Sequence, residues 1–178
     1  MKTLILGGVK SGKSHQAERI AAQSGNPVTL IATALPGDEE MRQRIARHQQ
    51  QRPADWQVKE VPYALASAID SIGRNSPHSH TVIVDCLTLW LTQLLCSPDK
   101  SPQVDTEIDQ LVSAVKHFNG ELIMVASESA MGVTPADPLS RRYLDCAGVL
   151  HQCIAAVSDN VTLMVAGLPM VVKQAATE

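Results

Sequence analysis

Hydrophobic and polar positions divide this chain into two kinds of segment that alternate along its length. Short apolar runs of strand length recur at TLIL (3–6), VTLIAT (28–33), QVKEV (57–61), TVIVDC (81–86), ELIMVAS (121–127) and NVTLMVAG (160–167). Apolar residues at helical spacing fill most of the gaps and predict helices near 13–24, 37–51, 63–73, 87–96, 103–118 and 138–157. This alternation predicts an α/β fold with a largely parallel sheet.

Some of the strand-like runs contain no alternating polar residues. TLIL, TVIV (81–84) and LIMV (122–125) are nearly continuous apolar runs. Strands with that pattern are covered by helices on both faces of a parallel sheet. We therefore predict that these runs form the centre of the sheet. The turn-rich stretches 73–80 and 97–102 are too short to separate domains, so residues 1–178 form one domain.

Composition favours a single globular domain. The chain has 178 residues, of which 44% are hydrophobic and 19% charged, and a disordered chain would be far less apolar. The net charge of −3 provides no basic surface for nucleic acid. Asp85 and Pro169 interrupt the longest apolar stretches, which are too short for a membrane span. The apolar run before Gly7 is also too short for an export signal.

The cysteines give a prediction about the compartment. The chain has four cysteines and no C-x-x-C pair, and Cys146 and Cys153 have the seven-residue spacing of core-facing positions on one helix. We interpret them as reduced, buried thiols and predict a cytoplasmic protein.

The most informative motif follows the first apolar run. It matches G-x-x-x-x-G-K-[ST] with Gly7, Gly8, Val9, Lys10, Ser11, Gly12, Lys13 and Ser14. In a loop of this kind, glycines let backbone N–H groups turn toward phosphate oxygens, and the following helix directs its positive end at them. Lys13 would contact the β- and γ-phosphates, and the Ser14 hydroxyl would bind Mg²⁺. An accidental glycine-rich turn is the alternative, but both the preceding strand and the following helix are present.

Asp85 closes the run TVIVD and is the candidate for a second magnesium-binding residue. Enzymes with a phosphate loop usually carry such an acid at the end of a buried strand. The alternative role is an N-cap for the helix predicted from residue 87, and both roles place the carboxylate at the same edge of the sheet. No N-K-x-D stretch is present, which disfavours a signalling GTPase.

A histidine lies in the segment 38–56. Met41, Ile45 and His48 form one helical stripe, and positive charge surrounds it at Arg44, Arg47 and Arg52. A neutral imidazole is a competent nucleophile toward phosphorus, and guanidinium groups can neutralise phosphate oxygens. From the residues alone, His48 could equally be a surface residue or a partner for carbonyl groups at a helix C-terminus.

Taken together, several segments resemble one enzyme family. GGVKSGKS (7–14), DEEMRQRIARHQQQRPADW (38–56), TVIVDCLTLWLTQLL (81–95), MGVTP (131–135) and GLPMVVK (167–173) are similar to bifunctional adenosylcobinamide kinase / adenosylcobinamide-phosphate guanylyltransferases. The resemblance is colinear and covers nearly the whole chain. Its most specific part is the pattern R-I-x-x-H-x-x-x-R-P-x-x-W. The resemblance implies a three-layer P-loop nucleoside triphosphate hydrolase-like fold with a mostly parallel central sheet.

The resemblance also implies roles for individual residues. His48 would carry a covalent guanylyl group, with Lys13 assisting catalysis. Nucleotide contacts would extend beyond the phosphate loop to Ala32, Thr33, Ala34, Gln49, Gln50, Gln51, Arg52, Glu60 and Asp85. On the residues alone, Glu60 would be an ordinary surface carboxylate. The implied cofactor is Mg²⁺, the co-substrate is GTP with ATP possible, and the assembly is a homotrimer.

The implied substrates are adenosylcobinamide and adenosylcobinamide phosphate, which would receive first a phosphoryl and then a GMP group. A single-activity kinase of another small molecule is one rival interpretation. A nucleotide-dependent binding protein is another. The chain departs from the family at Lys10, where arginine is more usual, and at 127–132, where SESAMG replaces a sequence like N-E-V-G-x-G.

Overall fold

The fold is an α/β domain built around one sheet. The computed structural model describes residues 1–40, 42–43, 45–46, 53–75 and 79–175. The strands are β1 (Lys2–Gly7), β2 (Val28–Ala32), β3 (Gln57–Glu60), β4 (Thr81–Asp85), β5 (Glu121–Ser127), β6 (Asn160–Val165) and β7 (Leu168–Lys173). The helices are α1 (Lys13–Gln23), α2 (Leu65–Asn75), α3 (Leu87–Cys96), α4 (Val104–His117) and α5 (Pro138–Val157), with a 3-10 turn at Ser101–Gln103.

These bounds agree closely with the helical periodicity of the sequence. The helix predicted at 37–51 is described only in part, and residues 39–40, 42–43 and 45–46 of it are helical. Pro138 begins α5, where its missing N–H costs no hydrogen bond, and the Asp137 carboxylate accepts from the Ser140 N–H at 2.7 Å. Local sequence therefore determines where this helix starts.

The described residues form a seven-stranded sheet with the order β3-β2-β4-β5-β1-β6-β7. All neighbouring pairs are parallel except β6 with β7. The central strands β4, β5 and β1 are those whose runs lack polar alternation, so that prediction is confirmed. Because the parallel strands end at one edge, β1, β4 and β5 present their carboxyl ends together.

Two hydrophobic clusters cover the two faces of the sheet and make the fold three layers deep. Ala17 and Ala21 of α1 pack with Ile5 and Ile83 on one face. On the other face, α2 to α5 pack against strand residues such as Leu4. The alternation of Leu4 and Ile5 between the faces is the two-residue period expected of a strand.

Strand β7 was missed in the sequence analysis, which used GLPMVVK for the family resemblance and assigned it no secondary structure. Ala166 and Gly167 have φ angles of 51° and 83°, and this pair turns the chain so that β7 returns antiparallel to β6. Pro169 can lie in β7 because β7 is an edge strand and needs fewer backbone donors.

The structure also tests the predictions about membrane spans and about the cysteines. Within the described ranges, every helix is too short or too polar to cross a bilayer. The four cysteines are free thiols as predicted, but they are not all buried, because Cys96 is exposed and the others are half-buried. Cys96 is the last residue of α3, where the helix end leaves it in solvent.

Candidate nucleotide-binding site

The phosphate loop joins the central strand β1 to helix α1. Gly7 has a φ of 151°, and a Cβ there would lie 2.6 Å from the Met164 carbonyl oxygen, so only glycine fits. Gly12, directly before α1, has a φ of 95°, and Lys10 has a φ of 54°. These left-handed conformations curl the loop over the N-terminus of α1, which directs backbone N–H groups to one point.

Two neighbouring segments hold the phosphate loop in place. The Glu128 N–H, directly after β5, donates to the Gly7 carbonyl at 2.9 Å. The Gly167 N–H in the β6–β7 turn donates to the Ser11 carbonyl at 3.1 Å. The loop is therefore fastened at both ends by elements that adjoin β1 in the sheet.

The side chains of the phosphate loop suit a bound anion. Lys13 is buried, and its ammonium group donates to the Gly8 carbonyl at 2.5 Å. The Ser11 hydroxyl is buried and makes no hydrogen bond to any described residue. A buried polar atom of this kind is accounted for when a ligand oxygen accepts from it. Val9 and Lys10 are exposed on the outer side of the loop.

The sheet register aligns the other predicted nucleotide contacts. Ala32 at the end of β2 is directly opposite Glu60 of β3 on one side and Asp85 of β4 on the other. The row is aligned with Ile5 of β1, two residues before Gly7. With strands about 4.8 Å apart and about 3.3 Å per residue, it begins about 12 Å from Gly7 and extends to about 20 Å. Glu60 is exposed there, and Ala34 lies just beyond β2. These four predicted contacts thus occupy one edge of the sheet.

The side chain of Thr33 is bonded to the protein backbone and does not point to a ligand site. It is fully buried, and its hydroxyl donates to the Cys86 carbonyl at 2.7 Å and accepts from the Cys86 N–H at 2.9 Å. Its own N–H donates to the Asp85 carbonyl at 3.2 Å. Thr33 therefore holds the segment that carries Asp85, and its predicted nucleotide contact stays a prediction.

The structure also bears on the two roles considered for Asp85. Helix α3 starts at Leu87, its N-cap residue is Cys86, and no side chain caps it. Asp85 is instead the half-buried last residue of β4, on the side of β5 opposite the phosphate loop. Its carboxylate and the Ser14 hydroxyl supply oxygen donors, which are the ligands that Mg²⁺ prefers.

Cys86, next to Asp85, is not equipped to act as a nucleophile. Burial raises the pKa of its thiol to about 11, and the negative charge of Asp85 adds to that effect. At neutral pH the group is a thiol, whereas attack requires the thiolate.

Several predicted site residues lie outside the described residues. These are His48, Gln49, Gln50, Gln51 and Arg52. Their predicted roles stay predictions. In the chain they belong to the connection between β2 and β3, whose strand ends carry Ala32 and Glu60.

A polar cluster near the phosphate loop was missed in the sequence analysis. The Glu128 carboxylate lies 3.7 Å from Nδ1 of His151 on α5, and both side chains are largely buried. The Tyr143 hydroxyl is buried close to Ser129 and Thr88, and burial raises its pKa. Glu128 could have been found by the signal that indicated Asp85, an acid directly after a buried central strand.

Comparisons with known proteins agree on the family. The sequence profile of the cobinamide kinase / cobinamide phosphate guanyltransferase family matches residues 3–172. The chain is 49% identical to the bifunctional adenosylcobalamin biosynthesis protein CobP of Pseudomonas aeruginosa, over 97% of this chain and 98% of that protein. It is 32% identical to the bifunctional adenosylcobalamin biosynthesis protein CobU of Escherichia coli, over 97% of this chain and all of that protein.

Solved structures support the fold alone. A Pyrococcus horikoshii OT3 protein superposes with a TM-score of 0.59 at 9% identity, over 97% of this chain and 86% of that one. The RadB recombinase superposes with a TM-score of 0.52 at 14% identity, over 91% of this chain and 73% of that one. Together with the parallel sheet, these neighbours confirm the P-loop nucleoside triphosphate hydrolase fold.

Proposed function

Because the chain belongs to the cobinamide kinase / cobinamide phosphate guanyltransferase family, we propose that its phosphate loop serves two successive transfers to one corrinoid. The enzyme is a kinase and guanylyltransferase of cobalamin biosynthesis. The observation that carries the shared site is the phosphate loop, whose glycine conformations and buried Lys13 and Ser11 provide one cradle for a triphosphate. The acceptors are adenosylcobinamide and then adenosylcobinamide phosphate.

In the first transfer the hydroxyl of the aminopropanol arm attacks the γ-phosphorus of a nucleoside triphosphate. The backbone N–H groups of the loop and the Lys13 ammonium hold the phosphates in line with the attacking oxygen. Ser14 and Asp85 would hold Mg²⁺, which neutralises phosphate charge when bound. GTP is the proposed co-substrate, with ATP as the alternative phosphoryl donor in this step.

In the second transfer the His48 imidazole attacks the α-phosphorus of GTP, and pyrophosphate leaves. The guanylyl-histidine then passes GMP to adenosylcobinamide phosphate. Ala32 and Glu60 lie successively farther from the phosphate loop than Asp85 does, in the direction that suits the nucleoside end of a bound nucleotide. Gln49 through Arg52 would complete the nucleotide contacts.

The proposal is tested by separating the two transfers. Replacing His48 by alanine should abolish guanylylation and leave kinase turnover measurable, because the imidazole takes part only in the second transfer. Incubation with α-labelled and γ-labelled GTP gives the readout. Acid-labile, alkali-stable protein label from the α position alone identifies guanylyl-histidine. Loss of both activities in a folded His48→Ala variant would contradict this division.

A shared cradle makes a different prediction for Lys13. Lys13→Ala should lower both rates by about 100-fold or more, because removing one charge-stabilising donor from a transferring phosphate has costs of that order. Lys2→Ala, at the opposite end of β1, is the matched control and should change neither rate. An unchanged guanylyltransferase rate in Lys13→Ala would refute the shared site.

A homotrimer is the proposed assembly, in which one subunit completes the site of its neighbour. Support comes from the β6–β7 hairpin, where apolar side chains are widely exposed at Val165, Leu168, Met170, Val171 and Val172. An exposed apolar edge of this kind is typical of a surface that associates with another chain. Equilibrium sedimentation should give three times the 19.1 kDa of the chain. A monomer at all concentrations would contradict it.

We also propose a cytoplasmic location. The free thiols of Cys86, Cys96, Cys146 and Cys153 support a reducing compartment, where unpaired cysteines persist.

A further inference from the structure

The pair formed by Glu128 and His151 adjoins the phosphate loop without belonging to it. Glu128 directly follows β5, the strand between the Asp85 strand and the phosphate-loop strand, and its N–H is bonded to the Gly7 carbonyl. The exposed fractions of the Glu128 and His151 side chains are only 15% and 12%. A largely buried carboxylate is thus held one strand away from both halves of the proposed nucleotide site.

The surroundings of Glu128 fix the orientation of its carboxylate. One carboxylate oxygen accepts from the Ala130 N–H at 2.7 Å, and the other faces Nδ1 of His151. Burial lowers the pKa of His151, although Glu128 pulls in the other direction. The ring is therefore neutral at neutral pH, so the pair is not a full salt bridge. A carboxylate oriented by two partners in this way is placed to act as a proton acceptor for a hydroxyl bound beside it.

An open cavity lies next to this part of the chain and is lined by Ser129, the residue that follows Glu128. It has a volume of about 440 Å³ and lies between α3, the loop after β5 and the first turns of α5. Tyr143 also lines it, and its other walls are mostly apolar, including Leu95 and Leu139. This volume suits a side arm of a large acceptor and is too small for a whole corrin ring.

The two transfers differ in whether the attacking group of the acceptor must lose a proton. A hydroxyl must lose its proton as its oxygen bonds to the γ-phosphorus. A phosphate monoester is already largely ionised at neutral pH, because its second pKa is about 6. A group that takes up the proton of the corrinoid hydroxyl is therefore needed in the kinase transfer only. Asp85 is not available for this role, because it is proposed to hold Mg²⁺.

We propose that Glu128, positioned by His151, accepts the proton of the acceptor hydroxyl in the kinase transfer, with the acceptor's arm lying in the adjoining cavity. A bond forms between the hydroxyl oxygen and the γ-phosphorus. The bond from that phosphorus to the β–γ bridging oxygen breaks, its electron pair leaves with the nucleoside diphosphate, and the proton passes to the Glu128 carboxylate. This assignment rests on the kinase activity proposed above and extends it.

The test compares the two transfers in Glu128→Gln. Each transfer is measured separately, with adenosylcobinamide and ATP or GTP for the kinase and with adenosylcobinamide phosphate and GTP for guanylylation. We expect the kinase kcat to fall about 100- to 10,000-fold, the range of general base catalysis, while the nucleotide KM stays unchanged. Guanylylation should stay within about threefold, since its acceptor has no proton to lose.

Glu121→Gln is the matched control. Glu121 begins the same strand β5, and its carboxylate accepts from the Thr81 hydroxyl at 3.0 Å at the opposite edge of the sheet. This variant should leave both transfers unchanged. Equal losses in Glu128→Gln and Glu121→Gln would indicate a damaged sheet and overturn the assignment. A kinase kcat of Glu128→Gln within tenfold of the original, or equal loss of both transfers, would also overturn it.

Two further variants separate catalysis from positioning. Glu128→Asp keeps a carboxylate and should recover part of the kinase kcat that Glu128→Gln loses. His151→Gln should lower the kinase kcat about tenfold with the nucleotide KM unchanged, because the carboxylate remains but is less well oriented. If the original protein transfers GMP but phosphorylates no acceptor, the proposed kinase function fails, and that result is distinct from failure of Glu128 alone.

Discussion

At the scale of single residues, position in the fold decides what a polar side chain does. Thr33 and Ser11 are both buried hydroxyl residues near the nucleotide site. The Thr33 hydroxyl is bonded twice to the backbone of Cys86, whereas that of Ser11 has no partner among the described residues. A satisfied hydroxyl is part of the framework, and an unsatisfied one suits a ligand.

The role of Thr33 leads to a prediction about stability. Thr33→Val removes the hydroxyl and leaves the N–H and carbonyl of the half-buried Cys86 without that partner, which should lower the free energy of unfolding by about 1–3 kcal/mol. Urea unfolding followed by circular dichroism measures the change. Thr106→Val on the exposed side of α4 is the control and should have little effect. An unchanged unfolding midpoint in Thr33→Val would show that the hydroxyl does not contribute to the stability of the fold.

At the scale of elements, α3 and α5 act together because they follow the neighbouring strands β4 and β5. Thr88 near the start of α3 accepts from the Ser127 N–H at 2.6 Å, which fixes the end of β5. Farther along, Thr92 lines one wall of the cavity and Tyr143 of α5 lines another. The helices therefore support the strand end that carries Glu128 and also shape the space proposed for the acceptor.

A larger side chain in that cavity should weaken binding of the acceptor and leave binding of the nucleotide unchanged. Thr92→Phe adds a ring to the cavity wall, and we expect the KM for adenosylcobinamide to rise about tenfold, which corresponds to about 1.4 kcal/mol of lost binding. The nucleotide KM should not change, because Thr92 does not belong to the phosphate loop. Steady-state kinetics with each substrate varied gives both values, with Thr106→Phe as the control. An unaltered acceptor KM would place the arm elsewhere.

At the scale of the whole molecule, partial burial of histidines links folding to pH. Burial lowers the pKa of His80, with the charge of Lys59 adding to it, and burial also lowers the pKa of His151. On unfolding, each ring returns to its ordinary pKa of 6.5, so the unfolded state binds more protons between 6.5 and the lowered folded values. The contribution of the neutral rings to stability is fully present above pH 6.5 and is lost as the pH falls from 6.5 toward the lowered folded pKa values.

We therefore expect the free energy of unfolding to decrease as the pH is lowered from about 7.5 to about 5.5, as linkage requires. Urea unfolding at several pH values measures it. His151→Gln removes one of the responsible rings and should make the decrease shallower. His117→Gln, at an exposed position on α4, is the control. A free energy of unfolding that stays constant or rises on acidification would contradict the assignment of these rings.

The sequence by itself determined the features that depend on neighbouring residues. The motif from Gly7 to Ser14, the bounds of the helices and the central place of β1, β4 and β5 follow from local conformation and periodicity, which short stretches of chain encode. The family followed from colinear motifs that include the segment Arg44–Trp56. Strand β7 was missed although its turn signal, Ala166 and Gly167, is local, because Pro169 interrupts the apolar run and proline is unusual within a strand.

Only the tertiary structure decided what depends on residues far apart in the chain. The register brings Glu60, Ala32 and Asp85 side by side, and packing of α5 on the sheet brings His151 to Glu128. Thr33 could be assigned a structural role only once its bonds to Cys86 were known. Such contacts depend on sheet order and helix packing, which are set by burial over the whole core and not by any local pattern.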